Sequence, residues 1–308
     1  MSKRVVLLGQ PVTHSLSEAL QEAACAAAGV DAHYEPLDTP TVDLPDAVAA
    51  LRGEEYLGAN IGVPHKDRVL PMLDKLTEEA QSTGAVDTIT REGSLLVGHN
   101  TDVIAFKPTL EELVGNQKMP KNAVVVGAGG GGRAAIYSLI QAGFQNIALF
   151  NRHLHRGERL VKHFNRSASH MDLKARPWHE SVIEAELAKT DVLINASAMG
   201  RDPVETPIAG ELLPPDILVM DLHYVPEETR LLREAKEAGA TKVMNGDFML
   251  IEQTIAAFEL WSGEKAPVDV IKKTLKAARN KPEVPVPSAE EQATGEPATG
   301  ASATEADA

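Results

Sequence analysis

The sequence predicts an α/β protein in two units, an N-terminal α/β unit followed by a doubly wound, Rossmann-type unit, and three observations carry that expectation. Short apolar runs alternate with stretches of helical apolar spacing, the pattern of a parallel or mixed sheet covered by helices on both faces. Between Asn122 and Ala135 (NAVVVGAGGGGRAA) an apolar strand runs straight into glycines and then into a helix-forming segment. Beyond Lys281 the chain turns to Pro, Ala, Thr, Gly and Glu without an aromatic residue.

In chain order, the first unit covers residues 1–106, with strands at 4–9, 33–38 and 58–63 and helices near 17–29, 44–51 and 66–76. The second covers 107–247, with strands at 123–127, 147–150, 191–196 and 217–222. Residues 248–263 have helical apolar spacing and stop at Gly263, as a helix C-terminus should, and another helix follows Pro267 to about Arg279. This last pair, 248–279, is expected to return to the first unit. Residues 280–308 form an acidic tail too poor in apolar side chains to order itself.

The glycine segment points to a dinucleotide. Gly127, Gly129 and Gly132 stand at G-x-G-x-x-G spacing. The first glycine allows a tight turn, the second lets backbone approach a pyrophosphate, and the third permits close helix–strand packing. A helix starting near Gly131 aims its free N–H groups and positive dipole end at that pyrophosphate, with Ala128 and Gly130 completing the turn. Consecutive glycines alone also suit a flexible loop; the strand before and the helix after favour the cradle. About 20 residues further on, an NAD enzyme carries an acid for the ribose 2′-hydroxyl. Here Arg152 and Arg156 stand instead, two guanidinium groups suited to a 2′-phosphate, so NADP is expected over NAD. A solvated basic helix start is the plainer alternative.

Composition narrows the class. With 308 residues and 43% hydrophobic content, the chain can bury one large or two medium cores. Its net charge is −14; the six acids of 282–308, unaccompanied by Lys or Arg, leave −8 elsewhere, which argues against general nucleic-acid binding. Cys25 is the only cysteine, so a disulfide within the chain is ruled out, and its Ala-rich surroundings suggest an inert buried thiol. The ten histidines show no metal pattern, and no metal is expected. Without a signal sequence or a membrane-length apolar run, the cytoplasm is the expected location, with no membrane partner.

Several motifs then fit one family. Residues 9–17 (GQPVTHSLS), 58–66 (GANIGVPHK), 84–88 (GAVDT), 98–102 (GHNTD), the glycine turn, Asn151-Arg152, 194–200 (INASAMG), 221–224 (DLHY) and 246–253 (GDFMLIEQ) occur in the order and spacing of shikimate dehydrogenases. The chain resembles that family from about residue 4 to 279. The resemblance implies an NADP-dependent oxidoreductase that reversibly reduces 3-dehydroshikimate to shikimate, on the route to chorismate and the aromatic amino acids. It makes 1–106 plus 248–279 the substrate and catalytic domain and 107–247 the NADP domain. It assigns catalysis to Lys66 and Asp102, the substrate carboxylate to Ser15, Ser17 and Tyr224, and ring hydroxyls to Asn60 and Gln253. Asn151, Ala196, Ser197, Met199 and Gly246 join the glycines and arginines beside the dinucleotide. The expected partner is thus a small cyclohexene carboxylate, with a homodimer left open.

Two of these assignments also stand on chemistry. Reducing a ketone by hydride needs a proton for the developing alkoxide, and a Lys beside a carboxylate can relay it, although a surface salt bridge is the plain alternative. Ser15 and Ser17 precede a helix whose N–H groups would join their hydroxyls around a carboxylate, whereas capping alone would need one Ser. Departures from the family matter as well. Gly62 stands where the family has Thr, and Asp87 where it has Asn, both positions lining the hydroxyl pocket. Gly62 opens space and removes a donor; Asp87 only accepts and sets a second negative charge near Asp102. Glu18 in place of Pro, and Gln21 and Glu22 in place of His-Asn, are lesser changes. Two alternatives follow: a paralogue acting on quinate or an aminoshikimate, or a non-catalytic NADP-binding protein.

Overall fold

The computed structural model describes residues 2–12, 15–166 and 171–279. The expected disordered tail at 280–308 lies outside them, and so does His14. The chain forms two six-stranded sheets, each with its own core.

The first sheet grows from β1 (Lys3–Gly9), α1 (Ser17–Ala28), β2 (Ala32–Asp38), α2 (Leu44–Ala50) and β3 (Tyr56–Ile61). It continues with β4 (Lys75–Leu76), α3 (Glu78–Thr83), β5 (Thr88–Glu92) and β6 (Leu95–His99). Its order is β2-β1-β3-β5-β6-β4. β1 runs parallel to β2 and β3, while β5 is antiparallel to β3 and β6, so the sheet is mixed. The β5–β6 hairpin, which turns at Gly93 with φ 64°, did not stand out in the sequence. It brings 87 and 102 together at one end.

The helix expected over 66–76 is not formed. Those residues make turns, a single 3₁₀ turn at Leu70–Met72, and β4. Pro71 supplies no N–H and its ring blocks the preceding turn of an α-helix, while Val69, Leu70, Met72, Leu73 and Leu76 still pack on the core. Apolar spacing alone therefore misread an irregular segment as helical.

α4 (Thr101–Val114) leads to the second sheet, made of β7 (Asn122–Val126), α5 (Gly130–Gln141), β8 (Asn146–Phe150), α6 (Leu154–Phe164), β9 (Asp172–Arg176), α7 (Glu180–Leu187), β10 (Val192–Asn195), β11 (Leu218–Asp221), α8 (Arg230–Glu237) and β12 (Lys242–Met244). Every strand is parallel, in the order β12-β11-β10-β7-β8-β9. The chain reverses direction between β7 and β10, which opens the crevice where doubly wound sheets take ligands. β9 and β12, at the two edges, went unpredicted; β12 is three residues and β9 (DLKAR) is polar. α9 (Asp247–Ser262) ends on Gly263 in the left-handed conformation, and α10 (Val268–Arg279) packs with it on α1. Among the described residues no helix is long and apolar enough to cross a membrane.

Candidate active site

A cleft of about 350 Å³ lies between the carboxyl ends of the two sheets. The first sheet's side supplies Ser15, Ser17, Asn60, Gly62, Lys66, Asp87 and Asp102; the second supplies Gly130, Gly131, Ala196, Ser197, Tyr224 and Gly246, and α9 adds Gln253. Gly127, Ala128, Gly129, Gly132, Asn151, Arg152, Arg156 and Met199 do not line it. They lie on the glycine turn and the start of α5, between β8 and the first turn of α6, and on the loop after β10.

Lys66 and Asp102 meet at the centre. Lys66 projects from the turn after β3, Asp102 sits in the first turn of α4, and Nζ donates to Oδ2 at 2.5 Å. Their side chains are only 19% and 5% exposed, so this is not a solvated surface pair. Burial works against the ammonium, but the charges of Asp102 and Asp87 outweigh it and hold the Lys66 pKa above the ordinary lysine value. Burial raises the Asp102 carboxyl above the ordinary 3.8; Lys66 opposes the shift and Asp87 adds to it.

Asp87 does more than line the pocket. Its Oδ1 accepts from the Thr101 N–H at 2.7 Å, the Thr101 hydroxyl at 2.7 Å and the Thr88 hydroxyl at 2.9 Å. Its Oδ2 accepts from the Asp102 N–H at 2.8 Å. The carboxylate thus faces the positive end of α4 and holds Asp102 by its own backbone. Asn100 caps the same helix, accepting from the Val103 N–H at 3.0 Å.

Asn60 is tied into this network. Its Nδ2 donates to the Asp87 carbonyl and the Thr88 hydroxyl at 3.1 and 3.0 Å, and its Oδ1 accepts from the Tyr34 hydroxyl at 2.8 Å. Gly62 could carry a Cβ without a clash, since its nearest neighbours would stand at contact distance, 3.6 Å. The Ser15 hydroxyl accepts from the Ser17 N–H at 3.2 Å, at the start of α1. Burial raises the Tyr224 phenol, opposed by the charge of Arg201 and by contact with the Ser15 hydroxyl.

The glycine turn fits a close-approach site. Gly127 holds φ 107°, and a Cβ on Gly132 would come within 2.0 Å of the Gly127 carbonyl oxygen, so neither position admits a side chain. Around Gly129 an added Cβ would meet nothing within 4 Å, which leaves backbone facing open space at the start of α5. Gly130 supports the Lys66 stem: a Cβ there would stand 2.6 Å from Lys66 Cδ. Asn151 braces the turn, accepting from the Ala128 N–H at 3.1 Å and donating to the His153 carbonyl at 2.9 Å. Arg152 and Arg156 are exposed.

The sequence reading missed three residues. Arg201 lines the cleft, and its only signal was its place directly after the INASAMG motif. Gln21, dismissed as a lesser change, is 2% exposed, lines the cleft and donates to the Thr254 carbonyl at 3.2 Å. Asp221 is fully buried and holds Asn195, His223 and Thr229. Cys25 is buried, which pushes its thiol to about 11, as its surroundings suggested. Trp261 packs on Tyr34, whereas Trp178 is 37% exposed. Among the described residues no group of three or more His, Cys, Asp or Glu is placed to hold a metal ion.

Known proteins match this arrangement over most of its length. The family model described as "Shikimate dehydrogenase substrate binding domain" matches residues 7–89, that of "Shikimate / quinate 5-dehydrogenase" residues 110–211, and that of "Shikimate 5'-dehydrogenase C-terminal domain" residues 249–276. The NADP(+) shikimate dehydrogenase of Symbiobacterium thermophilum is 38% identical over 275 residues, 88% of this chain and 93% of its own. Among solved structures, the shikimate 5-dehydrogenase of Thermus thermophilus in complex with NADP(H) and shikimate superposes with a TM-score of 0.79 at 35% identity, covering 90% of this chain and 99% of that one. The quinate dehydrogenase of Corynebacterium glutamicum in complex with NAD gives 0.79 at 31% identity, covering 90% and 99%. On this identity and coverage, joined to the three family segments, the chain belongs to the shikimate dehydrogenase family.

Proposed function

We propose that this protein is an NADP-dependent dehydrogenase that interconverts 3-dehydroshikimate and shikimate, a step toward chorismate and the aromatic amino acids. The observation that carries the reading is the buried Lys66–Asp102 pair, with the Lys66 stem lying over Gly130 of the dinucleotide turn. That contact joins the proton-bearing group to the place where a cofactor would lie. NADP, when bound, supplies or accepts the hydride. Lys66 gives its Nζ proton to the alkoxide that forms as the ketone is reduced, and its raised pKa keeps that proton available at neutral pH. Asp102 holds the ammonium in place and, in the oxidative direction, helps take up the proton leaving the alcohol.

Binding is divided between the two sides. In this reading 1–106 with 248–279 form the substrate and catalytic domain, and 107–247 the NADP domain. Ser15, Ser17 and Tyr224 receive the carboxylate, and Asn60, Gln253 and Asp87 meet ring hydroxyls, with Gly62 leaving space beside them. Gly127, Ala128, Gly129, Gly130, Gly131, Gly132, Asn151, Ala196, Ser197, Met199 and Gly246 surround the dinucleotide, and Arg152 and Arg156 take its 2′-phosphate. Every residue named in this reading lies in one chain, and a homodimer is left open. A cytoplasmic setting belongs to the same reading.

Asp87 favours a second reading in which the ring carries an amine. Asp87, Asp102 and Lys66 together carry one net negative charge beside the reacting group, apart from the cation of Arg201 elsewhere in the lining, and Asp87 Oδ2 accepts from the Asp102 backbone N–H. Steady-state absorbance at the nicotinamide band, with NADP and shikimate, quinate or an aminoshikimate in turn, separates the readings. Turnover greatest with shikimate supports the first, turnover greatest with the amine supports the second, and NADP binding without turnover of any of them would reduce the protein to a binding scaffold.

A further inference from the structure

We propose that Arg201 supplies the counter-charge for the substrate's carboxylate, a role the two serines and the tyrosine cannot fill because they are neutral. The proposal rests on the reading of this cleft as a site for a ring carboxylate. Arg201 follows β10 on the loop 196–201, and it lines the cleft together with Ser15, Ser17 and Tyr224. Ser15, Ser17 and Tyr224 offer hydroxyls alone, and Lys66 is engaged by Asp102. An anionic ligand there would otherwise lose its hydration shell without meeting a cation.

The loop that carries Arg201 is fastened. Asn195 Nδ2 donates to the Met199 carbonyl at 2.8 Å, and its Oδ1 accepts from the Ser197 N–H at 3.1 Å and the Ser197 hydroxyl at 2.7 Å. Gly200, at φ 111°, then turns the chain against Asp221 and His223; an added Cβ would meet Asp221 Oδ2 at 3.4 Å. Asp221 Oδ1 accepts from Asn195 Nδ2 at 3.1 Å and from the His223 backbone N–H at 3.1 Å. One buried carboxylate therefore anchors both the loop ending in Arg201 and the loop that presents Tyr224. Fixing a cation and a phenol on the same anchor pre-organises them for one ligand group.

The position of the charge along the cleft agrees. Arg201 acts on the Tyr224 phenol, whereas the charges acting on Lys66 are those of Asp102, Asp87 and Tyr224. Lys66 acts on the same phenol more weakly, so Arg201 lies toward the tyrosine in a single cleft whose parts are in electrostatic contact. Its guanidinium has no hydrogen-bond or ion-pair partner among the described residues. It is free to form a paired, charge-assisted contact with a carboxylate.

The test compares the full-length protein with Arg201→Met, which keeps length and removes charge, using shikimate and its neutral methyl ester. The variant is expected to raise the KM for shikimate tenfold or more, change kcat less than threefold, and leave the KM for NADP and for the ester unchanged. Arg201→Lys is expected to recover part of the loss. An unchanged shikimate KM, an equal rise for acid and ester, or a rise confined to NADP would overturn the proposal, the last by assigning the arginine to the dinucleotide. If the unaltered protein turns over no shikimate, the functional reading fails first. Calorimetric titration with cyclohex-1-ene-1-carboxylate and its carboxamide then judges Arg201 alone. A preference for the acid that disappears in Arg201→Met supports it, and no preference in the unaltered protein, or one that survives the substitution, rejects it.

Discussion

The two sheets reach the same cleft by different means. The parallel sheet contributes mainly backbone: glycines at 127 and 132 whose missing side chains let strand, turn and helix close up, Gly129 facing open space, and loops braced by Asn151 and Asn195. The mixed sheet contributes charged side chains, Lys66, Asp87 and Asp102, held by a ladder of hydroxyls and helix N–H groups. Backbone recognition depends on shape and tolerates few changes, whereas side-chain recognition can be retuned one residue at a time. Gly62 and Asp87, the positions at which this chain leaves its family's pattern, both lie on the side-chain half.

The largest expected effect breaks the side-chain half and spares the other. Lys66→Ala should lower kcat about 100-fold or more while NADP affinity, measured by titration, stays near its original level. Equal loss of both would mean that Lys66 mainly supports Gly130. Asp102→Asn should act similarly and alter the pH profile. A carboxyl raised above 3.8 is protonated at higher pH than an ordinary Asp, so oxidation by the parent protein should fall on acidification earlier than that value suggests. The Asn variant should lack that limb.

A smaller effect, tens-fold in kcat/KM, is expected from Gly62→Thr with Asp87→Asn. Each change restores a donor that a substrate hydroxyl lacks, at about 1–3 kcal/mol apiece. A Cβ at 62 would sit in ordinary van der Waals contact, 3.6 Å from its nearest neighbours, so the backbone there admits a side chain. Asn at 87 keeps an acceptor for the Thr101 N–H but cannot accept from Asp102 with its amide nitrogen, so a modest fall in Tm should accompany the gain. If shikimate turnover improves and the ammonium-bearing ring loses ground, the side-chain half sets identity. An unchanged substrate profile would remove both residues from the ligand.

On the backbone half the effect should be confined to one cofactor. Arg152→Ala should raise the KM for NADP roughly tenfold, the loss of about 1.5 kcal/mol for one charged hydrogen bond, and leave NAD unaffected. Equal weakening of both dinucleotides would reject the phosphate contact. The smallest effect is expected from ending the chain after Lys281. Every element around the cleft lies within 2–279, so turnover and Tm should not move, and a fall in either would dock the tail on the body.

The comparison between halves also explains what could be read in advance. The glycine turn, β7 and α5 were legible because strand, glycines and helix must follow one another in sequence to make a cradle. α9 and α10 were legible from apolar spacing, a glycine stop and a proline start. By contrast, the hairpin β5–β6 and helix α4 carry polar, Gly- and Pro-containing stretches whose structure depends on the sheet they join. Asp87 shows the limit for a site. Its charge read as a pocket property, yet four donors from Thr88, Thr101 and Asp102 also make it a second acceptor, beside the cap Asn100, at the start of α4, and that geometry exists only once 87 and 101 are brought together. Arg201 and Asp221 escaped notice because neither residue type nor spacing distinguishes a fastened loop from an open one.

The placement of the two tryptophans has an optical consequence. Trp261 donates to the Ile89 carbonyl at 2.9 Å and packs at 6.2 Å from Tyr34, whose hydroxyl bonds Asn60 inside the cleft. Trp178 stands edge-on to Phe150, 6.3 Å away, at the strand end that leads into Asn151 and Arg152. Each half of the molecule therefore carries one tryptophan. Occupation of the substrate side is expected to reach the half-buried Trp261 indole through Tyr34 and Asn60, and a reduced nicotinamide nearby would accept excitation energy from either indole. Replacing Trp178 by Phe leaves Trp261 as the single indole, which reads the substrate half directly and a bound reduced nicotinamide only through energy transfer, so the two ligands can be told apart without attaching a dye.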